Sequence, residues 1–360
     1  MTKENQAKTH NILGIIGNNG KTAVSEMIRH CYQLLEISPV VLNVETFLKE
    51  NHLHSYENKA KDVIIEVRTE DILNKNASRT PFNTLIFTNS QYKATISKQW
   101  QMKRPFIRLS QKEKAILNVD DEWSSSCIAV CIGQVLTYGI KNEASVMAKN
   151  IKCAWGHSTF DLFYSGEYVH TVNLPYMGMY HIYNALATYA YFITLGYAPI
   201  RMAQLLEGEP IQSLQFDTFT TANQVTIVFE KGSNPEGVEA VLTNMGAVTT
   251  GNIISVVEAG AEVDKKTRQA LGDVTCAKSK FAIFTTADAK KSVAQILLYD
   301  MIEKTVWQNY RLVMDREKAI EIALKQGKPQ DVIVIFSGRE HQTTGRDKIT
   351  TQHLIQKFNI

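Results

Sequence analysis

The chain has 360 residues, 44% of them hydrophobic and 21% charged, and its 39 basic and 36 acidic side chains leave a net +3. At roughly 150 residues per domain this is about two domains of ordinary globular composition, neither disordered nor fibrous. So small a charge bias argues against nucleic acid or a membrane surface as partner, and no apolar run approaches the roughly 18 residues of a membrane span.

The polar start, MTKENQAKTH, lacks the apolar core of a secretory signal, so the expected location is the cytoplasm. Cys31, Cys127, Cys131, Cys153 and Cys276 are scattered. Cys127 and Cys131 have no second pair at ligand spacing, so free thiols in a reducing compartment are the reading rather than a zinc site.

In chain order, apolar runs predict strands at 11–17, 41–46, 62–67, 84–89, 115–121 and 126–133. Their isoleucine, valine and leucine content suits strands covered on both faces. From 144 to 175 short alternating segments, with Gly156 and Gly166 as turn residues, predict an antiparallel ribbon. Residues 179–197 carry apolar side chains at helical spacing and meet a stop signal at Gly196. The second half restarts the alternation, with strands expected at 224–232, 252–260, 280–286, 310–316 and 331–338. Helices are expected between them, at 237–245, 265–276, 291–305 and 317–326. A polar break over 207–222 divides the whole into two α/β domains, 1–212 and 213–360.

The strongest chemical signal is G-N-N-G-K-T at 17–22, between an apolar strand and a helical pattern. A strand feeding a glycine turn and a helix N-terminus presents backbone N–H groups to an anion. Gly17 and Gly20 allow close approach to phosphate oxygens, with Asn18 and Asn19 between them in the loop. Lys21 supplies a point charge, and the Thr22 hydroxyl is a magnesium ligand candidate. The longer phosphate-loop pattern wants a glycine where Ile15 stands, so the match is to a shorter variant. The bland alternative is a tight turn whose lysine faces solvent. Glu66, at the carboxyl end of an apolar strand, is placed to complete a nucleotide–magnesium site; otherwise it is a solvated strand-end charge. Lys21 and Glu66 are accordingly the candidate catalytic pair.

The short loop, Glu66 and the run G-M-Y-H-I-Y-N-A-L-A at 178–187 together resemble the Mur ligases, ATP-dependent amino-acid ligases of cell-wall synthesis. Folylpolyglutamate and cyanophycin synthetases are their relatives. In that family the loop reads G-T-x-G-K-T and the later run G-x-x-N-x-x-N-A-x-A. Asn184 stands at the second asparagine, to which the resemblance assigns the adenine, and His181 stands at the first. M-D-R-E-K-A-I at 314–320 is similar to the D-R-x-x-A-I of the tripeptide-forming branch, which implies that Asp315 holds the ATP ribose, with Arg316 as its motif partner. V-D-K-K-T-R-Q-A-L-G at 263–272 and F-S-G-R-E-H-Q at 336–342 are similar to that branch's R-D-K-x-K-R-x-x-M-G and A-G-K-G-H-E. By family position Asp264, Arg268 and His341 become expected amine-substrate contacts. By spacing alone, Asp264 and Arg268 are an ordinary helix-surface pair and His341 belongs to a solvated loop.

The resemblance implies a phosphate-loop central domain with a mostly parallel sheet, and a Rossmann-like C-terminal α/β domain. It implies ATP and Mg2+ as cofactors, and a small-molecule carboxylate plus an amino acid or amine as substrates. A carboxylate would take the γ-phosphoryl group and the amine would then displace phosphate from the acyl phosphate.

Departures from the family pattern fall in the substrate-handling parts. The T-N-x-x-x-D-H-L-D segment runs T-N-S-Q-Y-K-A-T-I from Thr88, with Lys93 and Ala94 at the aspartate and histidine positions. Lys103 is the one candidate for the family's carbamylated lysine. Leu214 stands where G-R-x-E has its arginine, Ser233 where D-Y-A-H-x-P has its histidine, and D-A-K-K at 288–291 replaces D-N-P-R. Only sixteen residues precede Gly17, so the expectation is a member without the N-terminal domain for the uridine-nucleotide sugar. Two readings follow: an amide-forming ligase with altered substrates, or a degenerate homologue that binds ATP and acts as a regulatory or partner protein.

Overall fold

The computed structural model describes residues 11–49, 62–77, 80–90, 101, 103–231, 234–261, 263–286, 291–337 and 341–358. The chain divides into two compact units, 1–215 and 216–360.

The first unit is built on a nine-stranded sheet. Its strands are β1 (Asn11–Ile16), β2 (Val40–Asn43), β3 (Asp62–Val67), β4 (Thr84–Phe87), β5 (Lys114–Asn118), β6 (Gln134–Gly139), β7 (Val146–Ala154), β8 (His157–Tyr164) and β9 (Glu167–Leu174). The order is β2-β3-β1-β4-β5-β6-β7-β8-β9. Pairing is parallel as far as β7, and β7, β8 and β9 form the expected antiparallel ribbon. The helices are α1 (Lys21–Leu34), α2 (Val44–Lys49), α3 (Thr69–Leu73), α4 (Arg104–Ile107), α5 (Ser124–Ile128), α6 (Met179–Thr194) and α7 (Pro199–Leu205).

Because strand side chains alternate, β1 serves two cores. Leu13 and Ile15 pack with α1 and α6 residues such as Val24, Ile28, Leu186 and Phe192. Ile12 and Ile16 join Phe47, Phe87, Phe106 and Trp123 on the opposite side. Such fully buried aliphatic side chains contribute about 1.5–3 kcal/mol each, which holds the central strand rigidly. Helix α6 is buried over most of its length, including His181 and Asn184, as a helix apolar nearly all round must be.

Two expected strands are corrected. The one at 41–46 stops at Asn43, where the helix Val44–Lys49 begins. The apolar run at 126–133 is not a strand: Ser124–Ile128 is helical, and the next strand starts at Gln134. The Ser124 hydroxyl donates to the Asn118 carbonyl and the Ser126 hydroxyl to Trp123, tying this segment to the turn after β5. The slot beside β5 is filled from Gln134, paired with Lys114, so register with a neighbour decided what composition could not.

The second unit has six strands: β10 (Asp217–Thr220), β11 (Thr226–Lys231), β12 (Ile253–Glu258), β13 (Phe281–Thr285), β14 (Tyr310–Leu312) and β15 (Val332–Ser337). The order is β10-β11-β15-β12-β13-β14, parallel except for the hairpin of β10 and β11. Its helices are α8 (Pro235–Val248), α9 (Lys265–Lys278), α10 (Lys291–Ile302), α11 (Arg316–Gln326) and α12 (His341–Phe358). The last helix and the short β10 lie outside the sequence expectations; the remaining elements fall where the apolar alternation puts them. Among the described residues no helix is long and apolar enough to cross a membrane.

Candidate active site

The loop at 17–20 leaves the carboxyl end of the central strand β1 and enters α1. Gly17 and Gly20 have φ of +149° and +84°, conformations that side chains of L-residues rarely adopt. A Cβ at Gly17 would lie 2.0 Å from the Thr88 hydroxyl, and one at Gly20 would lie 2.8 Å from Asn184 Oδ1. Both glycines are therefore required by space as well as by backbone angle. Gly20 has no side chain to cap α1, so the first N–H groups of that helix stay available to an anion.

Lys21 Nζ donates to the carbonyls of Gly17 at 2.8 Å and Asn18 at 3.1 Å, curled over its own loop. Burial pushes its pKa below the usual lysine value, against the pull of the Glu66 and Glu70 carboxylates. The Thr22 hydroxyl donates to Glu66 Oε2 at 2.8 Å. Glu66 pairs with Ile15 in the register of β1 and β3, so the carboxylate arrives beside the loop from the neighbouring strand. Adjacent hydroxyl and carboxylate oxygens are the hard donors that magnesium takes, with nucleotide oxygens and water supplying the rest. Among the described residues no group of three His, Cys, Asp or Glu side chains gathers at a metal site.

The loop is not a ring of free N–H groups throughout. Asn18 N–H donates to the Asn89 carbonyl at 2.9 Å, and Asn19 N–H donates to Asn89 Oδ1 at 2.8 Å. Asn89 Nδ2 returns a bond to the Asn19 carbonyl at 3.1 Å, and the Thr88 hydroxyl donates there at 2.7 Å. The backbone N–H groups of Asn18 and Asn19 thus hold the loop against Asn89 in this structure. Thr88 and Asn89 were legible only as a fragment of a motif; the adjacency of β1 and β4 gives them their role.

Asn184, 5% exposed on α6, sets Oδ1 against Gly20, while its buried Nδ2 has no hydrogen-bond partner among the described residues. A buried unspent donor costs about 1–3 kcal/mol and marks a place where a ligand can supply the acceptor. His181, one turn earlier, is 3% exposed and lies between Tyr176 and Tyr180, with ring centroids at 5.1 and 4.1 Å. Burial pushes its pKa down to about 3 against a small upward pull from the Leu214 backbone, so the imidazole is neutral. The residues of the first unit that the structure brings together are therefore Gly17, Gly20, Lys21, Thr22, Glu66 and Asn184.

In the second unit the expected residues are held by their own neighbours. Asp315 is the N-cap of α11, its Oδ1 accepting the Lys318 N–H at 3.0 Å, and it is exposed. Arg316 turns inward: Nε and Nη2 engage both Asp347 oxygens at 2.7 and 2.6 Å, and Nη2 also reaches the Phe336 carbonyl. Asp264 caps α9 through Thr267, whose N–H and hydroxyl hold the carboxyl below its usual range. Arg268 is buried against Asp300, with Nη2 to Oδ2 at 2.8 Å, and donates to the carbonyls of Gly260 and Val263. The surface pair of Asp264 and Arg268 expected from spacing is thus corrected, since each side chain is committed elsewhere. His341 opens α12, but its side chain lies outside the described residues, as do Lys93, Ala94, Ser233 and residues 288–290. Leu214 ends a short 3₁₀ turn, and Lys103 is the N-cap of α4.

Residues 15–192 match the Mur ligase middle domain, and residues 216–339 match the Mur ligase, glutamate ligase domain. The chain is 26% identical to the UDP-N-acetylmuramoyl-L-alanyl-D-glutamate–2,6-diaminopimelate ligase of Bacillus licheniformis, over 92% of this chain and 74% of the relative. It is 25% identical to the enzyme of the same name from Halalkalibacterium halodurans, with the same coverage. Among solved structures, MurF from Acinetobacter baumannii superposes with a TM-score of 0.76 at 14% identity, covering 97% of this chain and 78% of that one. MurF from Thermotoga maritima in complex with ADP superposes with a TM-score of 0.72 at 17% identity, covering 97% and 81%. With two successive domains matched in order and the phosphate loop at the head of the first, this chain belongs to the Mur ligase family of ATP-dependent amide-bond-forming ligases.

Proposed function

We propose that this protein is a cytoplasmic ligase that joins an amino acid or amine to a small-molecule carboxylate at the expense of ATP. The observation that carries the reading is the convergence, on one glycine-flanked loop, of the Lys21 ammonium, the Thr22–Glu66 oxygen pair and the unspent Asn184 amide. The substrate carboxylate oxygen attacks the γ-phosphorus while the bond to the β-phosphate oxygen breaks and ADP leaves. The amine nitrogen then attacks the acyl carbon, the carbon–phosphate oxygen bond breaks, and inorganic phosphate departs as the nitrogen sheds a proton.

Lys21 releases its loop carbonyls to neutralise phosphate charge, and the helix α1 N–H groups hold phosphate oxygens in line. Thr22 and Glu66 would hold Mg2+, which would supply neutralisation of the phosphate charge. Asn184 offers its Nδ2, unpartnered among the described residues, to the nucleotide.

Purified protein with Mg2+, ATP and a pool of amino acids and carboxylate acceptors tests this by ADP release. Turnover that requires an amine and vanishes in Lys21→Ala supports the ligase. Tight ATP binding with no turnover across the pool overturns it in favour of a nucleotide-binding partner protein.

A further inference from the structure

The end of β5 and the turn after it, Asn118-Val119-Asp120-Asp121, reach both walls of the phosphate loop. Asn118 Nδ2 donates to the Thr88 carbonyl at 2.9 Å. Asp121 accepts the Ser90 N–H at 2.7 Å, the Ser90 hydroxyl at 3.0 Å and the Trp123 N–H at 2.9 Å. Ser90 follows Asn89, whose side chain and carbonyl grip Asn18 and Asn19. On the other side, Asp120 Oδ2 accepts the Tyr183 hydroxyl at 2.7 Å, and Tyr183 precedes Asn184, whose Oδ1 faces Gly20. Asp120 is itself held by the successive N–H groups of Ile140, Lys141 and Asn142, at 2.6, 2.9 and 2.7 Å.

We propose that Asp120 and Asp121 are positioning residues for nucleotide binding, acting through two separate arms on the two sides of the loop. The Asp121–Ser90 arm fixes Asn89 and so the backbone of Asn18 and Asn19. The Asp120–Tyr183 arm fixes the rotation of α6 and so the aim of the Asn184 amide. Charge-assisted hydrogen bonds suit the task, being shorter and stronger than neutral ones. The Asp120 carboxyl is drawn below its usual range although burial works in the other direction, because the three N–H groups and the Tyr183 hydroxyl favour its ionised form. A loop whose geometry must match phosphate oxygens gains most from supports that do not compete for the ligand.

The proposal rests on the reading that the 17–22 loop takes nucleotide phosphates, so the experiment separates the two. The affinity of the full chain for MgATP is measured by calorimetry for Lys21→Ala, Asp121→Asn, Tyr183→Phe, Asn89→Ala, Asn184→Ala and the doubles Asp121→Asn/Asn89→Ala and Tyr183→Phe/Asn184→Ala. Asp121→Asn and Tyr183→Phe should each weaken binding about tenfold, the scale of one lost hydrogen bond to a charged group. Each double should bind no more weakly than its weaker single, because a positioning residue has nothing left to position. Thermal melts check folding, and Ser90→Ala, which removes one hydroxyl, replaces Asp121→Asn if that variant melts near the assay temperature. Unchanged affinity in Lys21→Ala overturns the loop reading. A large loss in Lys21→Ala beside parental affinity in Asp121→Asn and Tyr183→Phe, or additive losses in the doubles, overturns the positioning proposal alone.

Discussion

Thr22 and Glu66, 44 residues apart in the chain, share a 2.8 Å hydrogen bond between the first turn of α1 and the end of β3. Parallel pairing of β1 with β3 makes the contact, by setting Glu66 across from Ile15 just before the loop begins. The expected consequence is metal-dependent. Glu66→Gln keeps the shape and removes the charge, so ATP affinity with Mg2+ should fall about tenfold or more while affinity without the metal changes little. Calorimetric titrations with and without Mg2+ decide it; equal losses in both would assign Glu66 a purely structural role.

Gly20 and Gly156 offer a controlled comparison, because their φ angles of +84° and +78° are alike but their surroundings are not. Among the described residues a Cβ at Gly156 meets nothing within 4 Å, whereas one at Gly20 meets Asn184 Oδ1 at 2.8 Å. Gly156→Ala should therefore cost only the backbone term of about 1–2 kcal/mol. Gly20→Ala should cost more in urea denaturation, and should also lose stabilisation by MgATP. Equal costs at the two positions would mean that Asn184 yields freely.

Arg316 and Asp315 are neighbours of unequal burial. Removing the guanidinium in Arg316→Ala leaves the buried Asp347 carboxylate without its counter-charge, with the Ser337 hydroxyl still donating to it, and should destabilise the protein by about 3 kcal/mol. Asp315→Ala removes only an exposed helix cap, and should cost about 1 kcal/mol. Denaturant melts set against nucleotide titrations separate the two. An Arg316→Ala protein of parental stability that fails to bind ATP would return Arg316 to the nucleotide site.

His181 makes stability depend on acid. Its folded pKa of about 3 lies below the ordinary 6.5. Between those values the unfolded chain holds the extra proton, so stability rises with pH, and is lost as pH falls from 6.5 toward 3. The slope should approach about 1.4 kcal/mol per pH unit from this residue alone. His181→Asn, which restores the family residue, should flatten the stability profile over that window. An unaltered slope would show that the imidazole is solvated.

Much of the fold was legible because buried parallel strands are apolar runs and need no partner to be recognised, as with Asn11–Ile16 and Val332–Ser337. Cys127 and Ile128 look equally apolar, yet they are helical, because the place beside β5 is filled by pairing from Gln134 onward. Gly17, Gly20, Lys21 and Thr22 were legible as a contiguous motif whose chemistry is local. Asn89, Asp120, Asp121 and Tyr183 were not, since single polar residues acquire meaning only from what the sheet order sets beside them.

The amino-acid sequence by itself determined the α/β class, the phosphate loop and the kinship with the Mur ligases, because strand, turn and helix signals there run consecutively along the chain. Tertiary structure alone decided which polar side chains remain available to a ligand. Arg268 is spent on Asp300 and two backbone carbonyls, and the N–H groups of Asn18 and Asn19 are bonded to Asn89, whereas Asn184 keeps its Nδ2 unspent among the described residues. The reason is physical: a hydrogen-bonding group is satisfied by whatever folding brings within about 3 Å of it, and no local pattern records that neighbour.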